Sequence, residues 1–357
     1  MERDIPIYDP TSVEIPEAVT LAAQEGCLSF FIGNGLSRLF KIPSWDDLVN
    51  RMLEELAKNG VINHSDASLL KEQPLKVKFS IADHYFKRNS HEKNSNPKEG
   101  LSYKKMLSIP NGSEKKSIFR LLAKCGVKFI TTNYDTLLDE ALVERFRTKS
   151  DFNTPEEIDN LEPQIVDSIE VINKEKEFLI FSHPSELRSI AQIEQNVLLH
   201  LHGSIASPES ERKIIASTAD YLGLYTDEKL MDKVRDLLKE QTIVFLGYGL
   251  DELEILELVL RSAAIVDNQA DSQQQFFLLL PVLSHQAPIL KHLSIYWEEQ
   301  LGIKILAYNI DKKGYDSIEE VIETWSAVLS KRSKAPPRVK HVNLMDDLMS
   351  RFDGAVE

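Results

Sequence analysis

Four short polar stretches of this sequence carry residue types that can hold a phosphate group and activate water. They are Gly33-Asn34-Gly35-Leu36-Ser37, Thr131-Thr132-Asn133-Tyr134-Asp135, Leu201-His202-Gly203-Ser204 and Gly247-Tyr248-Gly249-Leu250-Asp251. Glycines allow backbone N–H groups to approach an anion closely. An asparagine amide can orient a hydroxyl group or a water, and a histidine with an ordinary pKa of about 6.5 can accept a proton near neutral pH. Where such stretches converge at one edge of a sheet, they favour a ligand-binding site.

The first stretch lies between an apolar run and a helical pattern. Residues 28–32 have the length and composition of a strand buried on both faces, and the residues from Trp45 onward repeat apolar side chains at helical spacing. Strand, glycine loop and helix in this order can cradle a phosphate. The dinucleotide fingerprint needs three glycines at fixed spacing, whereas this loop has two. From this loop alone, nucleotide binding and a purely structural turn are equally well supported.

The second and third stretches also allow structural interpretations. Asn133 and Asp135 belong to the residue types that most often cap a helix, and a helical pattern follows them. His200 and His202 are expected to share one face of a strand by its two-residue period, and such a pair could bind a metal ion. No carboxylate or thiol is spaced to complete a ligand set, so a metal site is not expected. His200 lies deeper in the strand, and we expect it to be structural.

Apolar runs typical of buried strands alternate with helical patterns along most of the chain. The strands are expected at 28–32, 127–132, 196–204, 242–246, 276–281 and 303–308. This alternation predicts an α/β fold with a doubly wound, mostly parallel sheet and helices on both faces. Sheets of this kind bind ligands at the carboxyl ends of their strands, where the polar stretches would converge.

The domain organisation follows from breaks in these patterns. Residues 1–330 are expected to form one α/β domain, and polar, irregular segments at about 60–117 and 149–195 are expected to be helical insertions. Residues 331–357 are predicted to form a basic, proline-containing linker and a C-terminal helix that begins at His341. A terminal helix this short needs a surface to pack on, either its own domain or a partner.

Composition excludes several classes of protein. The chain has 357 residues and a formal net charge of −14, so direct binding to nucleic acid or to an anionic membrane is not expected. Cys27 and Cys125 are far apart in the sequence, which leaves neither a disulfide framework nor a zinc ribbon. No segment resembles a signal peptide or a membrane span, so a soluble, cytoplasmic protein is expected.

The order of the four polar stretches resembles the sirtuin family, over roughly Phe30 to Tyr308. That resemblance implies a sirtuin-like variant of the Rossmann fold with NAD as its substrate. It makes Asn133 the residue that positions the nicotinamide ribose and the attacking water, and His202 the general base. The remaining implied NAD-binding residues are Gly33, Asn34, Gly35 and Ser37 at the pyrophosphate, Asp135 as a helix cap and support on the ribose side, and Gly247, Tyr248 and Asp251 near the adenosine. Thr132 and Gly203 are also implied to bind NAD.

The chain also departs from protein deacylases of that family. It cannot build their four-cysteine zinc module, and Lys41-Ile42-Pro43-Ser44-Trp45-Asp46 stands where they carry an aromatic and arginine lid. These departures make it similar to the sirtuin-like NAD hydrolases of bacterial anti-phage defence, and by size and layout to the partner of HerA-type ATPases. The resemblance implies NAD cleavage without a metal, NAD depletion in abortive infection, a homo-oligomer and a HerA-type partner. An NAD-dependent deacylase and a non-catalytic sensor of NAD or ADP-ribose are the alternatives.

Overall fold

One nine-stranded sheet forms the centre of the protein. The computed structural model describes residues 5–90, 101–108, 117–146, 177–189, 197–239, 241–249, 253–264, 275–331 and 338–342. The strands are β1 (Ile7–Tyr8), β2 (Leu28–Ile32), β3 (Lys128–Thr131), β4 (Glu177–Phe181), β5 (Val197–His200), β6 (Thr242–Leu246), β7 (Phe276–Val282), β8 (Ile303–Asn309) and β9 (Arg338–Val342). Their order is β1-β8-β7-β6-β2-β3-β5-β4-β9, and each neighbouring pair is parallel. The predicted α/β fold class is confirmed.

Helices cover both faces of this sheet. The described α-helices are α1 (Glu17–Glu25), α2 (Asn34–Arg38), α3 (Trp45–Lys58), α4 (His64–Lys71), α5 (Leu75–Ser90), α6 (Tyr103–Met106), α7 (Ser117–Cys125), α8 (Leu137–Phe146), α9 (Pro208–Arg212), α10 (Thr218–Tyr225), α11 (Glu228–Leu238), α12 (Leu253–Ala264), α13 (Ala287–Ser294) and α14 (Ser317–Leu329). Within the described residues, no helix is both long and apolar enough to cross a membrane.

Strand β2 shows why the sheet must be covered on both sides. Phe30 and Ile32 contribute to the hydrophobic core on one face, whereas Phe31 contributes to the core on the other. All five residues of the strand are buried. Alternating side chains that are apolar on both faces require a helix layer above and below the sheet, which gives the doubly wound arrangement.

Three described strands, β1, β4 and β9, were not predicted from the sequence. β4 lies in the segment 149–195, where a helical insertion was expected, and β9 occupies residues assigned to the linker and to the start of the C-terminal helix. These two strands pair with each other in parallel, and β4 also pairs with β5. The segment 60–117 is helical where it is described. Residues 343–357, which hold the rest of the predicted C-terminal helix, lie outside the described residues.

Candidate active site

The sheet order brings the polar stretches to one edge. β6, β2, β3 and β5 are consecutive neighbours and parallel, so their carboxyl ends lie side by side. β3 and β5 remain connected beyond their last strand residues, since the N–H of Leu201 donates to the carbonyl of Thr131 at 2.8 Å and that of Ile205 to Tyr134 at 2.8 Å. The expected convergence at the carboxyl edge therefore occurs in the structure, as far as these stretches are described.

The glycines of two loops pack directly against each other. A Cβ atom on Gly33 would lie 2.4 Å from the carbonyl oxygen of Gly247, and one on Gly35 would lie 2.6 Å from it. Gly247 has a φ of 60°, in the left-handed region. The N–H of Gly33 donates to Leu246 at 2.9 Å, and that of Gly35 to Gly247 at 2.7 Å. Close contact between backbones explains why glycine is required at these positions.

This packing changes what the first glycine loop can offer a ligand. The N–H groups of Gly33 and Gly35 already have carbonyl acceptors, and the side-chain amide of Asn34 donates to the carbonyl of Pro43 at 3.0 Å. The predicted pyrophosphate contacts of these residues stay predictions. In this arrangement the N–H groups of Gly33 and Gly35 join the loops after β2 and β6, and the Asn34 amide bonds to the segment before α3.

Every polar atom of Asn133 except its side-chain oxygen has a hydrogen-bond partner among the described residues. Its N–H donates to Thr131 Oγ1 at 3.0 Å, its carbonyl oxygen lies 3.0 Å from His200 Nδ1, and its Nδ2 donates to Ser37 Oγ at 3.0 Å. The residue is 4% exposed. Its Oδ1 has no hydrogen-bond partner among the described residues. A buried acceptor left open in a fixed orientation is the arrangement expected where a ligand donates a hydrogen bond.

Asp135 supports this asparagine through a shared serine. Ser37 Oγ donates to Asp135 Oδ2 at 2.7 Å, and Asp135 Oδ1 accepts from the N–H of Leu137 at 3.2 Å, where α8 begins. Burial raises the pKa of the Asp135 carboxyl, and the bonds from Ser37 and Leu137 oppose that rise. Asp135 thus does contact the start of the helix, while it also fixes the hydroxyl that holds the Asn133 amide.

His202 is enclosed by two tyrosines of α10. Its Nε2 lies 3.0 Å from the Tyr225 hydroxyl, and its Nδ1 lies 3.4 Å from the Tyr221 hydroxyl. The histidine is completely buried, and burial lowers its pKa to about 3. The ring is therefore neutral at physiological pH, with both nitrogens engaged. In this arrangement it is a weak base, and each ring nitrogen faces a tyrosine hydroxyl.

The helix that carries these tyrosines is fixed to the segment 60–117. α10 starts with a capping box, in which Ser217 and Asp220 bond to each other's backbone N–H groups. Lys87 of α5 forms an ion pair with Asp220 at 2.8 Å, and Ser80 lies 3.1 Å from the hydroxyl of Thr218. The segment predicted as an insertion thus contacts the element that covers His202.

His200 and His202 do not share one face, contrary to the sequence prediction. β5 ends at His200, and the chain turns at the next two residues, so the two-residue period stops before His202. His200 Nε2 lies 3.0 Å from Asp139 Oδ2 on α8, while His202 contacts α10. Burial alone would lower the pKa of His200, but the Asp139 carboxylate and the bond to Asn133 outweigh it, and the pKa is raised.

Two further predicted residues have clear structural surroundings. Gly203 has a φ of 85°, and a Cβ atom there would lie 3.2 Å from the Cα of Ile214. A residue that follows His202 with this conformation turns the loop back toward α9 and α10. Tyr248 is 8% exposed, and its ring packs 5.0 Å from that of Phe31. Tyr248 thus contributes to the hydrophobic core on one face of the sheet.

Of the two predicted residues that remain, Thr132 and Asp251, only Thr132 is among the described residues. Thr132 directly follows β3 and is buried, with 1% of its surface exposed. Asp251 lies outside the described residues. Sequence reasoning missed Tyr221 and Tyr225, whose four-residue spacing places both on one side of a helix, and Asp139, which the pattern of α8 placed on a helix without indicating its histidine partner.

The described ranges also bear on metal binding. No cluster of three or more histidine, cysteine, aspartate or glutamate side chains there is placed to hold a metal ion. Cys27 is partly exposed and Cys125 is buried, and both are free thiols.

Two comparisons with known proteins bear on this site. The sequence model of a family described as "SIR2-like domain" matches residues 127–306, which include Asn133 and His202. The chain is also similar to Defense-associated sirtuin 2 of Bacillus subtilis, with 24% identity over 331 residues. That alignment covers 90% of this chain and 27% of the relative, so the chain spans about a quarter of the relative's length.

Proposed function

Because this chain belongs to the SIR2-like domain family, whose model matches half of it, we propose that it hydrolyses NAD to nicotinamide and ADP-ribose. The reaction breaks the bond between the nicotinamide nitrogen and C1 of the ribose, and water supplies the new oxygen at C1. Nicotinamide leaves as a neutral ring because it is cationic in NAD. No acid is needed to expel it, so the protein must orient the ribose and activate water.

One observation carries this proposal, namely the open acceptor of Asn133. Its Oδ1 is buried and has no hydrogen-bond partner in the described part of the chain, while the Nδ2 of the same amide is fixed by Ser37. The oxygen can accept a hydrogen bond from a ribose hydroxyl or from the attacking water. A fixed acceptor of this kind positions the reacting groups without reorganising during the reaction.

His202 supplies the base in the proposed mechanism. A positioned base contributes roughly 10²–10⁴ in rate. In the structure the hydroxyl groups of Tyr225 and Tyr221 contact the two ring nitrogens of His202, and burial lowers the pKa of His202 to about 3. A displacement of α10 would free one nitrogen, and the negative charge of the NAD pyrophosphate would favour the protonated ring. The proposed reaction therefore includes an opening step at α10.

The biological setting is proposed from the relative's name. Defense-associated sirtuin 2 is a defence protein by its description, and we extend that role to this chain, with NAD depletion in anti-phage abortive infection as the outcome. A homo-oligomer and a HerA-type ATPase as partner are proposed from the sequence resemblance alone. An activator that moves α10 would limit NAD loss to infected cells.

A sensor that binds NAD or ADP-ribose without cleaving it is the second candidate. The observation in its favour is the enclosed His202, since a sensor needs no accessible base. A sensor would bind NAD and release no nicotinamide, so the same experiment separates the two functions.

The test is nicotinamide release by the purified protein, measured together with NAD binding by calorimetry. Asn133→Ala and His202→Ala should each abolish release while the circular dichroism spectrum is unchanged. Residues of the same types outside the candidate site provide the controls: partly buried Asn309 and exposed His292. Asn309→Ala and His292→Ala should release nicotinamide at the wild-type rate. Binding of NAD without release by the wild-type protein would favour the sensor. Wild-type release by folded Asn133→Ala or His202→Ala would refute the assignment of the site.

A further inference from the structure

We propose that Asp139 and His200 form a positioning pair, which holds the backbone carbonyl of Asn133 and so fixes the direction of its side-chain oxygen. The two contacts are 3.0 Å from His200 Nε2 to Asp139 Oδ2 and 3.0 Å from His200 Nδ1 to the Asn133 carbonyl oxygen. The inference deepens the proposed NAD hydrolysis and rests on it for its kinetic readout. It also changes the prediction for His200 from a purely structural residue to one that acts through Asn133.

The partners of His200 determine which of its atoms donate. A carbonyl oxygen can only accept, so Nδ1 must carry a proton in the observed contact. The carboxylate on the other side is also an acceptor, and Nε2 is therefore protonated as well. His200 is an imidazolium that donates one hydrogen bond to α8 and one to the loop after β3. This connects a rigid helix to the residue that bears the open acceptor.

Stability alone does not explain this pair. His200 is 1% exposed and Asp139 is 3% exposed, so both charges are removed from water. A buried ion pair adds little net stability, because its attraction is offset by the loss of hydration, and apolar residues of similar volume often do as well. A directed donor to one particular carbonyl is something that an apolar pair could not provide.

Protonation of His200 should control the Asn133 loop. When the imidazolium loses one proton, the remaining proton stays on Nε2, because a carboxylate is a stronger acceptor than a carbonyl. The lone pair on Nδ1 then faces the oxygen lone pairs of Asn133, and the contact becomes repulsive. Asp135 and Glu186 also interact electrostatically with His200, and burial raises the pKa of Glu186 to about 7. Both acids favour the imidazolium when they are ionised.

Two conservative substitutions separate a positioning role from a structural one. His200→Asn keeps an N–H donor near the place of Nδ1 and loses the contact with Asp139. His200→Gln keeps a donor near the place of Nε2 and loses the contact with Asn133. Positioning predicts that kcat for nicotinamide release falls by about 10²-fold in His200→Gln, with KM little changed, and falls less in His200→Asn. A role that only satisfies Asp139 predicts the opposite order, which would overturn the inference.

The pH profile provides a second readout. In the wild type, kcat should fall as pH rises through the pKa of His200. Asp139→Asn removes the carboxylate that raises this pKa, so the fall should move to lower pH, and it should be absent in His200→Asn. Glu186→Gln tests whether titration of Glu186, and not of His200, causes this fall of kcat. If kcat falls over the same pH range in Asp139→Asn and His200→Asn as in the wild type, the inference is contradicted.

Controls distinguish failure of this inference from failure of the proposed function. Ser29→Ala removes a buried polar contact, 3.1 Å from Gln241, near the amino end of β2, and should leave kcat unchanged. If the wild-type protein releases no nicotinamide, NMR of the Asn133 side-chain amide still decides the question. Those signals, assigned by their absence in Asn133→Ala, should shift in His200→Gln and shift less in His200→Asn. Identical signals in the wild type and His200→Gln would refute the pair's role.

Discussion

Replacing Ser37 with alanine should lower the free energy of unfolding by more than the loss of one small hydroxyl group suggests. The Ser37 hydroxyl donates to Asp135 at 2.7 Å and accepts from Asn133 at 3.0 Å, and all three residues are buried. Losing a bond to a carboxyl group costs about 1.5–3 kcal/mol, and leaving a buried amide donor unsatisfied costs about 1–3 kcal/mol. Partial collapse of the two side chains toward each other reduces the sum. We expect the free energy of unfolding to fall by about 2–4 kcal/mol.

A second buried serine provides the matched control. Ser326 donates to the carbonyl of Glu323 at 3.0 Å within α14, and its loss leaves no buried donor without an acceptor. Ser326→Ala should cost about 0.5–1.5 kcal/mol in urea denaturation at pH 7. Ser37→Ala should also lose nicotinamide release, because the amide of Asn133 is no longer oriented. Equal stability losses in the two variants would refute the reasoning.

The pH dependence of this loss has a definite sign. Burial raises the pKa of folded Asp135 above its ordinary 3.8, so ionisation of this carboxyl weakens the fold as pH rises from 3.8 through the folded value. Ser37 opposes that rise, and its removal should raise the folded pKa further. The stability gap between wild type and Ser37→Ala should therefore be smaller near pH 4 than at pH 7. A gap that is larger in acid would contradict the assigned hydrogen bond.

Three other outcomes follow from the site. Tyr225→Phe releases Nε2 of His202 from a hydrogen bond worth about 0.5–1.5 kcal/mol, so basal nicotinamide release should rise by about 2- to 10-fold, and a lower rate would contradict the enclosing role. Gly35→Ala meets the Gly247 carbonyl at 2.6 Å and should destabilise by about 1–3 kcal/mol, whereas Gly223→Ala, with open space around it, should not destabilise in the same urea titration. Elemental analysis should find no stoichiometric zinc, and chelators should leave NAD cleavage unaffected.

Much of the architecture could be predicted because parallel strands that are buried on both faces have a clear pattern. β2 and β6 are short apolar runs that end at glycines, so their bounds were predicted within a residue. β1 has two residues, too few for any periodicity. β4 follows a highly charged segment, and β9 contains polar residues that suggest a linker. The pairing of β9 with β4 joins residues that are distant in sequence, which no local pattern can indicate.

The site was predicted as a location more successfully than as a set of contacts. Strand ends in a parallel sheet must converge, so the proximity of Asn133, Asp135 and Ser37 follows from topology. The ends of strands are less predictable, and β5 stops at His200, which separates the two histidines. The enclosure of His202 depends on how a distant helix packs against the loop, and that packing is a tertiary feature.

Side-by-side product analysis of the wild-type protein and Asn133→Ala tests the central claim most directly. Both proteins are incubated with NAD, and nicotinamide and ADP-ribose are quantified by chromatography against a blank without protein. The account predicts equal amounts of the two products from the wild-type protein and none above the blank from folded Asn133→Ala. Equal product formation by the two proteins would contradict it, because the open Asn133 oxygen would then have no part in cleavage.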